Sequence, residues 1–259
     1  MTTQSRYISR DGEVICDRFS EGAYIFQNVH TFGGEARHAA AHIALLCTAA
    51  RRLFGIEVHI SADELRRRIA RLAEACRMPS RVSVRAIVRL YPSGIMEIAC
   101  DEPSIYAGYV LRSLHPDALF VHMTPPLPSL PTSAAEHTRL MADALARTRG
   151  AHTAIMTDGE GYAVSESAQP LFTVSGYTVT TPPAAAAEES VERRLVREAA
   201  LGTDLVFTER RITIGDLAAA DEIFTADHRG ITSVARIGGK HYMSIIAERI
   251  AARLEKATF

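Results

Sequence analysis

The period of the hydrophobic pattern changes between residues 42 and 90, and this change limits the possible folds more than any other feature. In residues 42–54 the apolar side chains recur every three to four positions, which predicts a helix, and Gly55 is a good stop signal. In residues 82–90 apolar residues alternate with mainly polar ones, which predicts a strand with one buried face. A chain that contains both periods belongs to an α/β class.

Short local signals place the neighbouring elements. Gly33 and Gly34 lie in a β-prone segment and predict the turn of a β-hairpin. Ser61 and Glu64 have the spacing of a capping box, which predicts the start of a second helix. The pattern further predicts helices at 133–149, 189–201 and 242–256, and strands at 95–100, 105–112, 119–123, 153–157, 163–166, 170–174, 177–180, 205–211 and 222–225.

Four prolines within residues 125–131 interrupt this succession of elements. Proline lacks the backbone N–H that a helix interior or a central strand requires. We therefore expect a two-domain α/β (α+β) chain, with an N-terminal domain at 1–123, a linker at 124–133 and a C-terminal domain at 134–259.

Composition restricts the partners. Hydrophobic residues make up 47% of the 259 residues, enough for one large core or two moderate ones. The formal net charge is -1 and basic residues are dispersed, so we expect binding neither to nucleic acid nor to an anionic membrane. The sequence shows no signal-peptide core, no membrane-length apolar run and no metal-binding cysteine spacing. We expect a soluble, cytoplasmic protein with buried free thiols and no metal site.

The most specific motifs lie in the C-terminal half. Residues 209–213 (ERRIT) are followed by Asp216-Leu217 and by residues 220–224 (ADEIF). Upstream are HTAIMTDGEGYAVSESAQPLF, TPP at 181–183, QNVHTFGG at 27–34 and HIALLCTAARRLFG at 42–55. Taken together, and in their order along the chain, these motifs resemble the class IV aminotransferase family. This family includes branched-chain aminotransferases, D-amino acid aminotransferases and aminodeoxychorismate lyases.

The resemblance implies the fold-type IV architecture of pyridoxal phosphate (PLP) enzymes. A small N-terminal α/β domain and a larger C-terminal domain would hold the pocket between them, and a homodimer partner would close part of it. Such an enzyme needs a lysine to link the cofactor, an acid near the pyridine nitrogen and a cup for the phosphate.

The linking lysine is missing from its expected position. Counting back from Gly150, the resemblance places it at about Pro131 or Thr132. Of the 29 basic residues only Lys240 and Lys256 are lysines, and the other 27 are arginines. Because arginine stays protonated and cannot form the covalent link, we expect a divergent member with no cofactor and no cofactor-binding residues.

The phosphate cup is altered as well. Leu45 replaces the family arginine, Ser190-Val191-Glu192 replace a glycine, an isoleucine and a threonine, and Thr225-Ala226-Asp227 replace a threonine-glycine-threonine loop. A hydrogen bond to a charged group contributes about 1.5–3 kcal/mol. Losing two or three such bonds, with added repulsion, predicts phosphate affinity lower by about a thousandfold or more.

If the pocket is reused, its residues should come from the same positions. We assign catalytic roles to His228, Asp227, Glu166 and His30, because histidine and carboxyl groups can transfer protons. Glu166, or Ser165 without a bulge, corresponds to the acid near the pyridine nitrogen. The substrate-binding candidates Arg85, Arg89 and Arg193 could bind a carboxylate.

Each candidate also has a structural interpretation. His228 could be a surface histidine, His30 could pack against a dimer partner, and Glu166 could be a polar loop residue. The arginines on the strand could be solvated or ion-paired.

Three functions from different classes remain open at this point. We favour a PLP-independent enzyme of a specialised biosynthetic pathway, which performs acid-base or acyl chemistry on a small carboxylate or acyl substrate. The first alternative is a non-catalytic binding or partner protein on the same fold. The second is a genuine PLP-dependent aminotransferase or lyase whose lysine is misaligned.

Overall fold

The computed structural model describes residues 7–79, 81, 83–100, 109–112, 117–164, 169–184 and 190–256. Contacts between residues divide the chain into two compact units, Met1–Gly108 and Tyr109–Phe259. Each unit combines helices with β-sheet, as the two hydrophobic periods predict.

Among its described residues, the first unit contains two helices and six strands. In chain order they are β1 (Ile8–Arg10), β2 (Glu13–Ile15), β3 (Ile25–Phe32), β4 (Glu35–Ala36), α1 (Ala39–Phe54), α2 (Ala62–Ala75), β5 (Ser83–Leu90) and β6 (Met96–Cys100). The strands form one antiparallel sheet in the order β2-β1-β6-β5-β3-β4. The predicted hairpin is confirmed, since β3 and β4 pair across Gly33 and Gly34.

Local signals set the ends of both helices in this unit. Gly55 ends α1 with a φ of 67°, a left-handed conformation that glycine adopts without strain. The Ser61 hydroxyl accepts a hydrogen bond of 3.1 Å from the Glu64 backbone N–H at the start of α2. The Glu64 side chain instead pairs with Arg67 and Arg68, so only half of the predicted capping box forms.

The second unit contains the remaining elements. They are β7 (Val110–Arg112), β8 (Asp117–His122), α3 (Ser133–Thr148), β9 (Thr153–Thr157), β10 (Leu171–Ser175), β11 (Thr178–Thr181), α4 (Val191–Leu201), β12 (Val206–Glu209), α5 (Ile214–Ala219), β13 (Glu222–Asp227), β14 (Gly230–Ser233), β15 (Arg236–Ile237), β16 (Lys240–His241) and α6 (Ile245–Lys256). One sheet has the order β12-β11-β10-β13-β14-β7, and a second has the order β16-β15-β8-β9.

The proline segment at 124–133 lies inside the second unit, so the division of the chain comes earlier than the linker that the prolines indicate. The reason is strand pairing. β7 pairs with β14, and β8 pairs with β9 and β15, so both strands before the prolines belong to sheets built from later residues.

Two apolar layers cover the six-stranded sheet of the second unit. On one face, Phe172 and Phe224 stack with ring centroids 4.9 Å apart, and they pack with α4 and α6. Their neighbours Leu171 and Ile223 belong to a second cluster with Ile155 of β9. The alternation of these side chains along β10 and β13 is what a strand buried on both faces requires.

In the described part of the chain, no helix is long and apolar enough to cross a membrane. The four cysteines are free thiols, but only Cys100 is buried as expected, whereas Cys16 is exposed. Within the same residues, no group of three or more histidine, cysteine and acidic side chains could hold a metal ion.

Candidate functional site

The start of α4 buries two charged residues side by side. Ser190 caps the helix, and its hydroxyl accepts a hydrogen bond of 3.1 Å from the Arg193 backbone N–H. Glu192, in the first turn, is 6% exposed, and Arg193 is fully buried. Charged side chains are rarely so buried unless they are paired, so both need an electrostatic explanation.

Arg193 has such an explanation. Its guanidinium lies 3.1 Å from the carboxylate of Glu209 on β12. Arg197, one turn further along α4, donates a hydrogen bond of 2.8 Å to the other oxygen of that carboxylate and lies over the Phe207 ring. Arg193 therefore joins α4 to β12, and this internal ion pair accounts for the burial of the substrate-binding candidate.

Glu192 is in a different environment. The pKa of its carboxyl group is raised to about 8, mainly by burial. A hydrogen bond from its own backbone N–H lowers the pKa, the nearby charge of Asp227 raises it by a smaller amount, and the Ser190 side chain lowers it. Its Oε1 is buried and receives no hydrogen bond from the residues that the structure describes. Near neutral pH this carboxyl group is therefore mainly protonated.

Asp227 and His228 lie at the end of β13, where the chain turns back into β14. Asp227 is opposite Gly230, so His228 and Arg229 form a two-residue turn. The carboxylate of Asp227 accepts hydrogen bonds from the backbone N–H of Arg229 at 2.8 Å and from its guanidinium at 2.9 Å. His228 is only 8% exposed, so its interpretation as a surface histidine is wrong.

Gly230 fixes this turn against β7. A Cβ atom at this position would lie 2.1 Å from the carbonyl oxygen of Val110, and the φ of 128° is one that other residues rarely adopt. The close approach of the two backbones therefore requires glycine here.

The candidates of the first unit lie on β3 and β5. His30 and Arg85 are directly opposed in the ladder between these strands. His30 is fully buried, and its Nδ1 lies 3.1 Å from the Ser83 hydroxyl, so it needs no dimer partner to cover it. Arg85 is half-buried, on the polar face that the alternating pattern predicts.

Arg89, on the same face, has aromatic neighbours. Its guanidinium carbon lies 4.0 Å from the centroid of the Phe19 ring and 4.1 Å from that of Tyr24. Such cation–π contacts account for the position of this arginine without a substrate.

A histidine on α1 is also buried. His42 Nδ1 lies 2.9 Å from the Gln27 side-chain oxygen on β3. Burial lowers the pKa of His42 to about 3, with smaller contributions from His38 and His30. His42 is therefore neutral at physiological pH, and it serves the packing of α1 on the sheet.

Residues 209–224 have clear structural roles. The Thr213 hydroxyl accepts a hydrogen bond from the Asp216 backbone N–H, and the Asp216 carboxylate accepts one from the Thr213 backbone N–H, which forms a complete capping box at α5. Hydrogen bonds from Arg210 and Thr213 hold the pKa of Asp216 well below its usual range. This segment builds the turn between β12 and β13.

A sequence model of the family described as "Amino-transferase class IV" matches residues 25–237, most of the chain. The chain belongs to the class IV aminotransferase family. A branched-chain-amino-acid aminotransferase-like protein from Arabidopsis thaliana is 29% identical over 113 residues, which cover 42% of this chain and 20% of that protein. A branched-chain-amino-acid aminotransferase from Pseudomonas aeruginosa is 27% identical over 111 residues, 42% of this chain and 36% of that enzyme. The matched part thus spans well under half of either relative.

Solved structures show the fold over almost the whole chain. A branched-chain aminotransferase from Thermoproteus uzoniensis has a TM-score of 0.80 at 21% identity, covering 99% of this chain and 94% of that one. An aminotransferase from Brucella abortus, bound to PLP, has a TM-score of 0.79 at 18% identity, covering 97% and 98%. A putative 4-amino-4-deoxychorismate lyase from Legionella pneumophila has a TM-score of 0.75 at 16% identity, covering 90% of each chain. The fold-type IV prediction is confirmed.

Lys240, a lysine whose side chain the structure describes, has a structural role. Lys240 Nζ donates hydrogen bonds to the carbonyl oxygens of Ala218 and Ala220, at 2.5 and 2.6 Å, and lies over the Tyr242 ring. These carbonyls end α5, where a cation complements the helix dipole. Thr132, at the position expected for the linking lysine, is the buried N-cap of α3.

This set of side chains does not fit PLP. A phosphate is held by hydrogen-bond donors at helix N-termini and by cations. The start of α4 instead carries the carboxyl group of Glu192, with the Asp227 carboxylate close enough to act on it. The amine of Lys240 is bonded to backbone carbonyls.

Within each unit the structure brings some candidates together. Asp227 and His228 share one turn near Glu192, and His30 is opposite Arg85. Arg193 points to Glu209, and Glu166 lies outside the described residues. From the sequence, Glu192 was identified only as a change in the phosphate cup. Asp227 is a second change to a carboxylate in that cup, and the two changes together were the available signal of a site residue.

Proposed function

We propose that this class IV aminotransferase family member works without PLP, as an enzyme that performs acid-base or acyl chemistry on a small carboxylate or acyl substrate. The observation that carries the proposal is the pair of hydrogen bonds from the Lys240 amine to two backbone carbonyl oxygens at the end of α5. An amine in this position caps a helix, and forming a covalent cofactor link would remove that cap.

Electrostatics at the start of α4 support the same proposal. The relatives' cup would need to attract a phosphate dianion, but Asp227 and Glu192 are both nine-tenths buried here. Because a buried negative charge is weakly screened, the Asp227 carboxylate opposes an anionic ligand more strongly than a surface carboxylate would, and the protonated Glu192 supplies no positive charge to attract one.

The proposed chemistry uses the turn between β13 and β14. Arg229 fixes the Asp227 carboxylate with two hydrogen bonds, and the turn holds His228 next to it. An imidazole ring can both accept and donate a proton, which suits His228 to acid-base chemistry.

The first experiment tests the cofactor. The protein, purified without added PLP, is mixed with a stoichiometric amount of PLP, reduced with borohydride and digested, and mass spectrometry locates any adduct. We expect no adduct on either lysine. A stoichiometric adduct on Lys240 that disappears in Lys240→Arg would refute the proposal and restore a PLP-dependent aminotransferase or lyase.

The second experiment tests catalysis. Small carboxylates, 2-oxo acids and acyl thioesters are incubated with the PLP-free protein in D₂O, and NMR follows hydrogen exchange and hydrolysis. We expect turnover of at least one substrate class, and a loss of about a hundredfold or more in His228→Ala. His137→Ala, at an exposed histidine of α3, is the matched control. Ligand-induced stabilisation without turnover of any substrate would instead identify a non-catalytic binding protein.

We extend the proposal to the homodimer that the resemblance implies. Exposed apolar side chains such as Leu140 and Met141 on α3 are consistent with a covered surface. Light scattering should report twice the chain mass of 28.3 kDa, and a clean monomer would contradict the dimer.

A further inference from the structure

We propose that the outer edge of β12 (Val206–Glu209) is the surface through which two copies of this chain associate, strand against strand. The two β12 strands would run antiparallel about a two-fold axis, so that the six-stranded sheet of one copy would continue into that of the other. This inference rests on the proposed homodimer and deepens it, because it assigns the contact to one strand. It does not depend on the proposed chemistry.

Backbone hydrogen bonding shows which side of β12 is open. β12 is the last strand of its sheet, and the Val206 N–H donates to the Tyr177 carbonyl oxygen at 2.9 Å. Because N–H groups alternate in direction along a strand, those of Phe207 and Glu209 point away from β11. Among the described residues, no backbone carbonyl accepts a hydrogen bond from either group. Such an edge is a template for another strand.

Exposed apolar side chains lie around this edge. Val206 is 54% exposed, Tyr177 is 63% exposed, and Leu201, the last residue of α4, is 61% exposed. Tyr177 is joined to Val206 by the backbone hydrogen bond, and Leu201 precedes the short connection from α4 to β12. Neighbouring apolar groups at a protein surface favour burial in a contact with another protein.

The usual protection of an edge strand is missing from β12. Its sequence, VFTE, contains neither lysine nor proline, and the carboxylate of Glu209 is paired with Arg193 and Arg197 of α4. These ion pairs and the cation–π contact of Arg197 with Phe207 hold the strand in place before association, which lowers the entropic cost of pairing. Among the described strands, the other sheet edges have only two or three residues or, in β9, pack against α3.

Charge complementarity favours a second copy of this chain as the partner. In an antiparallel pair the outward-facing residues lie opposite one another, so the two-fold axis can place Phe207 opposite Phe207 of the second copy. This register sets Asp204 opposite Arg210, and the symmetry repeats the pair. Both side chains are more than half exposed, although each has a partner within its own chain. Opposite charges that face each other across two strands stabilise their pairing, so the edge is complementary to itself.

Sedimentation velocity of the full chain, with hydrogen exchange of single amides by NMR, tests the assignment. We expect a dimer whose dissociation constant rises by about tenfold or more in Val206→Glu, because pairing would desolvate the new carboxylate. The matched control Met141→Glu places the same charge on the exposed apolar surface of α3 and should leave the dimer intact. The Phe207 and Glu209 amides should exchange more slowly in the wild-type dimer than in Val206→Glu, whereas the Thr208 amide, which faces β11, should change little.

The outcomes separate this inference from the proposed function. A wild-type chain that is monomeric at every concentration measured would contradict both the homodimer and its assignment to β12. A dimer that Val206→Glu leaves intact, or that Met141→Glu dissociates, would overturn the assignment and leave the homodimer on another surface. Equal exchange of the Phe207 and Glu209 amides in wild type and Val206→Glu would overturn it as well. A PLP adduct on Lys240 would refute the proposed chemistry without affecting any of these results.

Discussion

Replacing Glu192 with glutamine should stabilise the protein at neutral pH, although it removes a buried polar group from the candidate site. The pKa of Glu192 is raised from 4.5 to about 8 in the folded chain. A carboxyl group with a raised folded-state pKa contributes stability that is fully present below the unfolded value and is lost as the pH rises towards the folded value. The loss therefore occurs between about pH 4.5 and about pH 8.

The magnitude follows from the same linkage. Each pH unit in this window changes the free energy of unfolding by about 1.4 kcal/mol per group, so the wild-type chain at pH 7 has lost about 3 kcal/mol. Glutamine is neutral at every pH and has nearly the same shape. Glu192→Gln should therefore be more stable than wild type by about 3 kcal/mol at pH 7 and equally stable near pH 4.

Urea unfolding at a series of pH values measures this difference directly. Because other groups titrate in both proteins, the quantity of interest is the difference between variant and wild type at each pH. Glu198→Gln, exposed on the same helix, should show a small difference that does not depend on pH. A Glu192→Gln variant that is no more stable at pH 7, or whose advantage is the same at pH 4, would refute the reasoning.

Three further predictions use the same unfolding assay. Glu222 accepts hydrogen bonds from backbone N–H groups in the first turn of α6, so Glu222→Gln should lower the free energy of unfolding by about 2–4 kcal/mol. The control Glu198→Gln, exposed on α4, should lower it by less than about 0.5 kcal/mol, and equal costs would contradict this. Gly230→Ala should lower the free energy of unfolding by about 2–4 kcal/mol, because the added Cβ atom would clash with the carbonyl oxygen of Val110. An unchanged urea midpoint would show that the two backbones can separate. Thr213→Ala should cost about 1 kcal/mol by removing one capping bond, and no cost would mean that solvent replaces it.

The sequence predicts elements whose signals are local. Ser61 and Gly55 mark helix ends because capping depends on one or two residues, and the alternation at 83–90 gives β5 with its buried face. The short elements β14, β15, β16 and α5 were missed, since two to six residues carry too little periodicity. Their positions depend on pairing with distant strands.

The candidate site shows the same limit. The chemistry of Asp227 and His228 could be suspected from their residue types, but the burial of His228 depends on a turn fixed by Gly230 against β7. Arg193 was predicted to bind substrate because guanidinium groups bind carboxylates, and the carboxylate near it is Glu209 of the chain itself. Sequence spacing does not distinguish an internal partner from an external one.

The pairing of β7 with β14 has a consequence for biosynthesis. Val110 is aligned with Gly230, so an edge strand made early must wait for a strand made more than a hundred residues later. Contacts so distant in sequence form slowly because a long loop must close first. The second unit therefore cannot complete its larger sheet until residue 230 has left the ribosome, and until then β7 has an unpaired edge that a chaperone or another nascent chain could bind.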